Sequence, residues 1–257
     1  MSKRYDSLTN ILTPEGRLLQ VENAIKNINN SGLCIGIVTK EGIILACQKE
    51  SISKLYEKGK NSEKIYKIDK NIVVSVGGLS ADANLLIDYS RDYSQNYFLK
   101  YKTLAPVETV VKYISDIIQL KTQFGGSRPY GVGFLFGGWD KNCGFQLYST
   151  EPSGIYNSWK AHAFGKNEQN AHSSLKQYYH NEINLNDGIK LAIKVLKKSL
   201  DKNKMNYDNL EILVLEKSDD DINQRYINNE DIEEYIKIVD KEYEEKKNLE
   251  KKNTKDF

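Results

Sequence analysis

At 257 residues, 39% of them apolar and 28% charged, the chain is long enough to bury a sizeable core and has the composition of a soluble globular protein. A formal net charge of +2 creates no field that points to nucleic acid or to an anionic membrane, and no stretch approaches the ~20 apolar residues of a membrane-spanning helix. Its three cysteines, Cys34, Cys47 and Cys143, have no motif spacing, which argues for a reducing compartment and against a disulfide framework. No apolar run that could serve as a signal peptide follows Met1, so the expected location is cytoplasm and nucleus.

In chain order, residues 1–12 read as an irregular arm. Thr13 is a natural N-cap, Pro14 fits a first helical position, and Glu15 complements a helix dipole. Leu18, Val21, Ile25 and Ile28 then share one helical face, and Asn29-Asn30-Ser31-Gly32 is a stop. Leu33–Val38 and Ile43–Cys47 are continuous apolar runs of the kind strands show when covered on both faces. Lys40-Glu41-Gly42 supplies hairpin chemistry between them, with Gly42 free to take positive φ. Ile65–Ile68 and Ile72–Val76 add strands. Ser80 is the expected cap of the next helix, with Ala83, Leu86, Ile87, Tyr93 and Tyr97 on its apolar side, and Pro106 starts another. Val107, Val110, Val111, Ile114, Ile117 and Ile118 form a wide stripe suited to packing on a sheet.

After a break at Gly125-Gly126, strands are expected over Val132–Phe136, Phe145–Tyr148 and Trp159–Phe164. Helices follow over Asn170–Tyr179 and Asp187–Leu200, then a strand over Leu210–Leu215, a turn at Asp219–Asp221 and a last helix from Asn229 to about Lys246. The order fits two stacked sheets with helices outside both. Residues 13–240 read as one domain, and residues 241–257 as a charged tail, a solvated helical extension that passes into disorder. The three histidines, His162, His172 and His180, lack zinc spacing with the cysteines, although His172 and His180 could share a helix face. No Gly-rich phosphate loop is present, and neither a cofactor nor a metal is expected.

Several stretches resemble one family in order along the chain. They are Tyr5-Asp6, Pro14-Glu15-Gly16-Arg17, Gln20-Val21-Glu22 with Ala24, Gly125-Gly126-Ser127-Arg128-Pro129-Tyr130-Gly131-Val132, Gly138-Trp139-Asp140, Gly144–Tyr148 and Pro152-Ser153-Gly154. Over about residues 3–240 the chain resembles the α-type subunits of the proteasome core particle. The resemblance implies an α+β, four-layer αββα sandwich, the N-terminal-nucleophile hydrolase architecture. It also implies partners: other α-type subunits in a seven-membered ring, a ring of β-type subunits and activator particles, with no nucleic acid and no membrane.

Proteolytic β-type relatives attack with an N-terminal threonine whose own amine is the base. Aligned on Ile35-Gly36-Ile37 and Ala46-Cys47, the nucleophile position is Gly32, the supporting aspartate position is Gln48, and the lysine position is Lys64. Only the lysine is kept, so the resemblance implies a non-catalytic subunit that assembles the ring, gates its pore and docks activators. Tyr5, Asp6 and Pro14 match the family's gate residues. Asn23, Leu12 and Lys121 stand where Tyr, Phe and Tyr are usual. Lys64 also matches the pocket lysine that meets the terminal carboxylate of an activator tail. The opposing readings are a free-standing hydrolase cut to expose Cys34 as an N-terminal nucleophile, and a soluble adaptor acting through its charged C-terminal helix.

Overall fold

The computed structural model describes residues 10–49, 64–199, 209–218 and 221–253, with side chains as far as residue 241. One five-stranded antiparallel sheet contains β1 (Cys34–Val38), β2 (Gly42–Gln48), β8 (Ala161–Phe164), β9 (Leu210–Lys217) and β10 (Ile222–Tyr226), in the order β10-β9-β2-β1-β8. The other, also five-stranded and antiparallel, holds β3 (Ile65–Asp69), β4 (Ile72–Gly78), β5 (Val132–Asp140), β6 (Gly144–Thr150) and β7 (Tyr156–Trp159) in chain order. Helices α2 (Ser80–Tyr101) and α3 (Val107–Gln123) cover the second sheet. The first is covered by α4 (Glu168–Tyr178), α5 (Leu185–Ser199) and α6 (Asn229–Asn253). Helix α1 (Leu19–Asn29) packs beside β4 and β5.

Three apolar cores hold these layers together. The α3 stripe, Val107, Val110, Val111, Ile114 and Ile118, is buried with Val74, Phe134 and Phe136 of the second sheet. On the opposite side, Ile189, Ala192, Ile193 and Leu196 of α5 meet Ile35, Ile37, Ile44 and Val214. Between the sheets lie Cys34, Ile43, Leu45, Cys47, Val73, Leu135, Leu147, Leu213 and Leu215. Each large aliphatic side chain buried this way contributes roughly 1.5–3 kcal/mol. Strands buried on both faces explain why β1, β2, β4 and β9 read as continuous rather than alternating apolar runs. The result is the four-layer αββα sandwich.

The chain departs from its sequence reading in several places. Helix α1 begins at Leu19, not after Thr13. Thr13–Gly16 is instead a tight turn: the Gly16 amide donates to the Thr13 carbonyl at 2.8 Å, and Gly16 has φ +76°. Pro14 thus takes the second position of a β-turn, which suits its fixed φ as well as a helix start does. Thr13 caps this loop, accepting from the Arg17 amide at 3.2 Å. Ser80 is the first residue of α2 and makes no capping bond, the cap position falling on Leu79. Gly42 does not adopt positive φ; it is required because a Cβ there would lie 2.3 Å from the Leu215 carbonyl oxygen.

The strand expected over Trp159–Phe164 is two strands in different sheets, with the chain crossing at Lys160. Strand β10 was not anticipated. His180 lies beyond the end of α4, so His172 and His180 do not share a helix. Helix α6 continues to Asn253, well into the charged tail.

Asp82, in the first turn of α2, fixes the loop that leads into β5. Its carboxylate accepts from Arg128 Nη1 and Nη2 at 2.6 and 2.8 Å and from the Gly131 amide at 2.9 Å. The Arg128 hydrogen bonds, with help from the Gly131 amide, hold the Asp82 carboxyl below its ordinary value. The Arg128 side chain is 60% exposed, so solvent screens the pair and the contribution belongs at the low end of charge-assisted bonds, about 1–1.5 kcal/mol. Because the folded value is depressed, this contribution is present above the unfolded carboxylate value near 4 and is lost as pH falls through the folded value. Asp82→Asn is expected to lower the melting temperature by a few degrees at pH 7. Its deficit against wild type, followed by thermal denaturation, should close below about pH 4.

Candidate functional site

Strands β1 and β2 pair so that Cys34 faces Cys47, and β2 and β9 pair so that Cys47 faces Glu211. These residues lie at one end of the first sheet. Just before β1 comes Gly32, and just after β2 comes Lys49; Lys64 stands immediately before β3 of the opposite sheet. The three positions singled out by the sequence, Gly32, Gln48 and Lys64, meet here. A Cβ built on Gly32 would lie 2.4 Å from the Gln48 carbonyl oxygen and 3.4 Å from Lys64 Nζ. Gly32 therefore has neither a nucleophile nor room for one. Gly165, at φ +105°, closes the other side: a Cβ there would lie 2.9 Å from the Gly32 carbonyl oxygen.

At the aspartate position, what faces Gly32 is the main chain of Gln48, whose amide donates to the Leu33 carbonyl at 2.8 Å. A carboxylate does reach this centre from elsewhere. Glu211 is buried at 6% exposure, accepts from the Lys64 amide at 2.8 Å and pairs with Lys49 Nζ at 3.2 Å. Lys64 is further pinned through its carbonyl, which accepts from the Val76 amide at 2.9 Å. Among the described residues its ammonium makes no hydrogen bond or ion pair, and its Nζ lies 3.4 Å from where a Gly32 Cβ would be. Sequence reasoning missed Glu211 and Lys49. They reach the site only through the β2–β9 pairing, which joins residues about 160 apart in the chain.

Cys34, the nucleophile of the hydrolase reading, is fully buried between β2 and β8, and its Sγ donates to the Val76 carbonyl at 3.4 Å. Burial, followed by contact with Cys34, pushes the Cys47 thiol well up. Neither thiol is placed to act as a solvent-facing nucleophile. Among the described residues no three His, Cys, Asp or Glu side chains converge as a metal site would require.

Of the residues compared with the family's gate, Pro14 is exposed on its turn, and Asn23 is exposed on α1. Tyr5 and Asp6 lie outside the described residues. Asn10 sits beside the Gly125 loop, its Nδ2 3.3 Å from where a Gly125 Cβ would be. Next to this contact, Ile11, Leu12, Leu120 and Phe124 are all exposed. Lys121 lies with its Nζ 5.6 Å from the Tyr130 ring centre, lining a groove of about 350 Å³ between α2 and α3 with Tyr89, Tyr113 and Phe124.

Comparison with known proteins bears on this geometry. The family model for proteasome subunits matches residues 28–215. The chain is 48% identical over 212 residues to a proteasome subunit alpha type-4 of Spinacia oleracea, covering 82% of this chain and 85% of that protein. It is 47% identical over 212 residues to the alpha type-4-A subunit of Arabidopsis thaliana, with the same coverage of 82% and 85%. With the alpha type-4 subunit of Dictyostelium discoideum it shares 42% identity over 250 residues, 96% of this chain and all (100%) of that protein.

Proposed function

The chain belongs to the proteasome subunit family, and from that premise we propose that it is a non-catalytic α-ring subunit of the core particle, of the type-four branch. In this reading it builds the seven-membered ring with other α-type subunits, seats a β-type ring, closes the pore with its arm and receives activator tails beside Lys64. The particle would then degrade proteins in both ubiquitin-dependent and independent modes.

The observation that carries the reading is Gly32. A hydrolase scaffold is kept, but the place of its nucleophile is a residue without a side chain, pressed against the Gln48 carbonyl. Exposed apolar side chains around the arm's base, Ile11, Leu12, Leu120 and Phe124, favour a chain that buries this surface against neighbours. Native mass spectrometry on the tagged chain from its own cells tests the assembly. The expected result is a very large particle holding other subunits of the family; a monomer or small oligomer overturns it.

Gating is tested on the same particle. Deleting residues 2–10, which contain Tyr5 and Asp6, is expected to raise basal hydrolysis of small peptides severalfold by removing part of the plug. An unchanged basal rate would show that this arm does not contribute to closure.

A further inference from the structure

The two sheets end on one side in β7 and β8, neither of which has a second strand neighbour among the described residues. The chain steps between them at Lys160. His162 on β8 is directly opposite Gly36 on β1, and opposed residues of an antiparallel pair point to the same face. For Gly36 that face is the gap between the sheets, since a Cβ there would meet Leu147 of β6 at 2.7 Å. Trp159 on β7 is in turn opposite Leu147. His162 and Trp159 thus approach one another from the two sheets, and their rings stack at 4.3 Å with an interplanar angle of 19°. His172 of α4 completes the group, its ring 4.8 Å from that of His162. Trp159 Nε1 donates to Ser149 Oγ at 2.8 Å, which fixes the indole.

We propose that Trp159, His162 and His172 form an acid-opened clamp on the free edge of the sandwich. At neutral pH the uncharged His162 ring packs between an indole and a second imidazole. Its Nδ1 is buried and has no hydrogen-bond partner among the described residues. An imidazolium must donate from both nitrogens, so protonation would leave a buried N–H⁺ without an acceptor beside another imidazole.

His172, its ring 4.8 Å away, is the titratable neighbour that acts on His162. On the same helix, burial holds the Glu168 carboxyl above its ordinary value, with His172 opposing that rise and Glu151 adding to it. Burial first, and His172 second, bring the His162 value down from 6.5 to about 4. With the folded value below the unfolded one, the closed state loses ground as pH falls below 6.5, and the loss is complete near 4. The closed-to-open ratio should fall by up to about 300-fold over that window.

The chain has two tryptophans, so Trp139→Phe in the full-length protein leaves Trp159 as the only indole reporter. Its emission, titrated from pH 7.5 to 3.5, is expected to step with a midpoint between 4 and 6.5 while far-ultraviolet circular dichroism stays constant. His162→Phe keeps a stacking ring but cannot take the proton, and should remove the step. His172→Gln removes the repelling neighbour and should move the midpoint upward. The same step in His162→Phe overturns the clamp. Should that variant fail to fold, an unmoved midpoint in His172→Gln does so.

Discussion

Gly32→Thr is expected to give the assembled particle no new peptidase activity and to weaken the fold of this subunit. The substitution restores the residue type of the proteolytic relatives at the aligned position, so a simple view of lost chemistry would predict a gain. The geometry predicts otherwise. The first atom added, Cβ, would already stand 2.4 Å from the Gln48 carbonyl oxygen, and main chain cannot swing aside as a flexible side chain can. Gln48 is held by its amide bond to Leu33, and Gly165 presses on the Gly32 carbonyl from the other side.

Overpacking of this kind costs about 1–3 kcal/mol. For a domain of this size that corresponds to a fall of very roughly 3–10 °C in melting temperature. Gly32→Ala should account for most of the loss, because the clash is with Cβ and not with the hydroxyl. Thermal denaturation of both variants, beside a peptidase assay of particles containing them, separates the two views. A Gly32→Thr subunit that is stable and adds a new inhibitor-sensitive activity would overturn the non-catalytic reading.

How far this arrangement could be read from the chain depends on where each signal is stored. Helices α3 and α5 were legible because their apolar residues recur at helical spacing and bury against sheets, so local pattern and tertiary demand agree. The start of α1 was not. Thr13-Pro14-Glu15 serves a helix start and a turn equally well, and the positive φ of Gly16 decides between them. Strand β10, Ile-Asn-Gln-Arg-Tyr, has little apolar content, and its identity comes from pairing with β9. The break at Lys160 was hidden because the residues on both sides favour strand, while a change of sheet is a property of the whole sandwich.

The centre shows the same division. Gly32, Gln48 and Lys64 could be aligned by motif, and the fold brings them together. Glu211 and Lys49 have no local signature, nor does the meeting of His162 with His172 and Trp159. The first pair meets only once β2 and β9 are joined in one sheet, and the second group only once the two sheets are stacked and α4 is laid against their edge.

Replacing Lys64 by alanine should separate activator response from the particle's own catalytic capacity. The main-chain bonds of residue 64, its amide to Glu211 and its carbonyl from Val76, do not need the lysine side chain and should persist in the variant. The ammonium has no partner among the described residues, so its removal leaves no described carboxylate newly unpaired. It does remove a cation that lies 3.4 Å from where a Gly32 Cβ would be and that could meet the terminal carboxylate of an inserted tail. A hydrogen bond to a charged group is worth about 1.5–3 kcal/mol, which corresponds to roughly 10–150-fold in affinity.

At subsaturating activator, stimulated peptide hydrolysis should therefore fall by at least about tenfold, and basal hydrolysis should not change. Lys64→Arg keeps the charge on a longer, planar group and should recover only part of the response. An activator titration that superimposes on wild type would overturn the proposed docking role of Lys64. A loss of basal hydrolysis in parallel would instead mean that the side chain supports the ring itself, since the carboxylate of a tail enters only the stimulated rate.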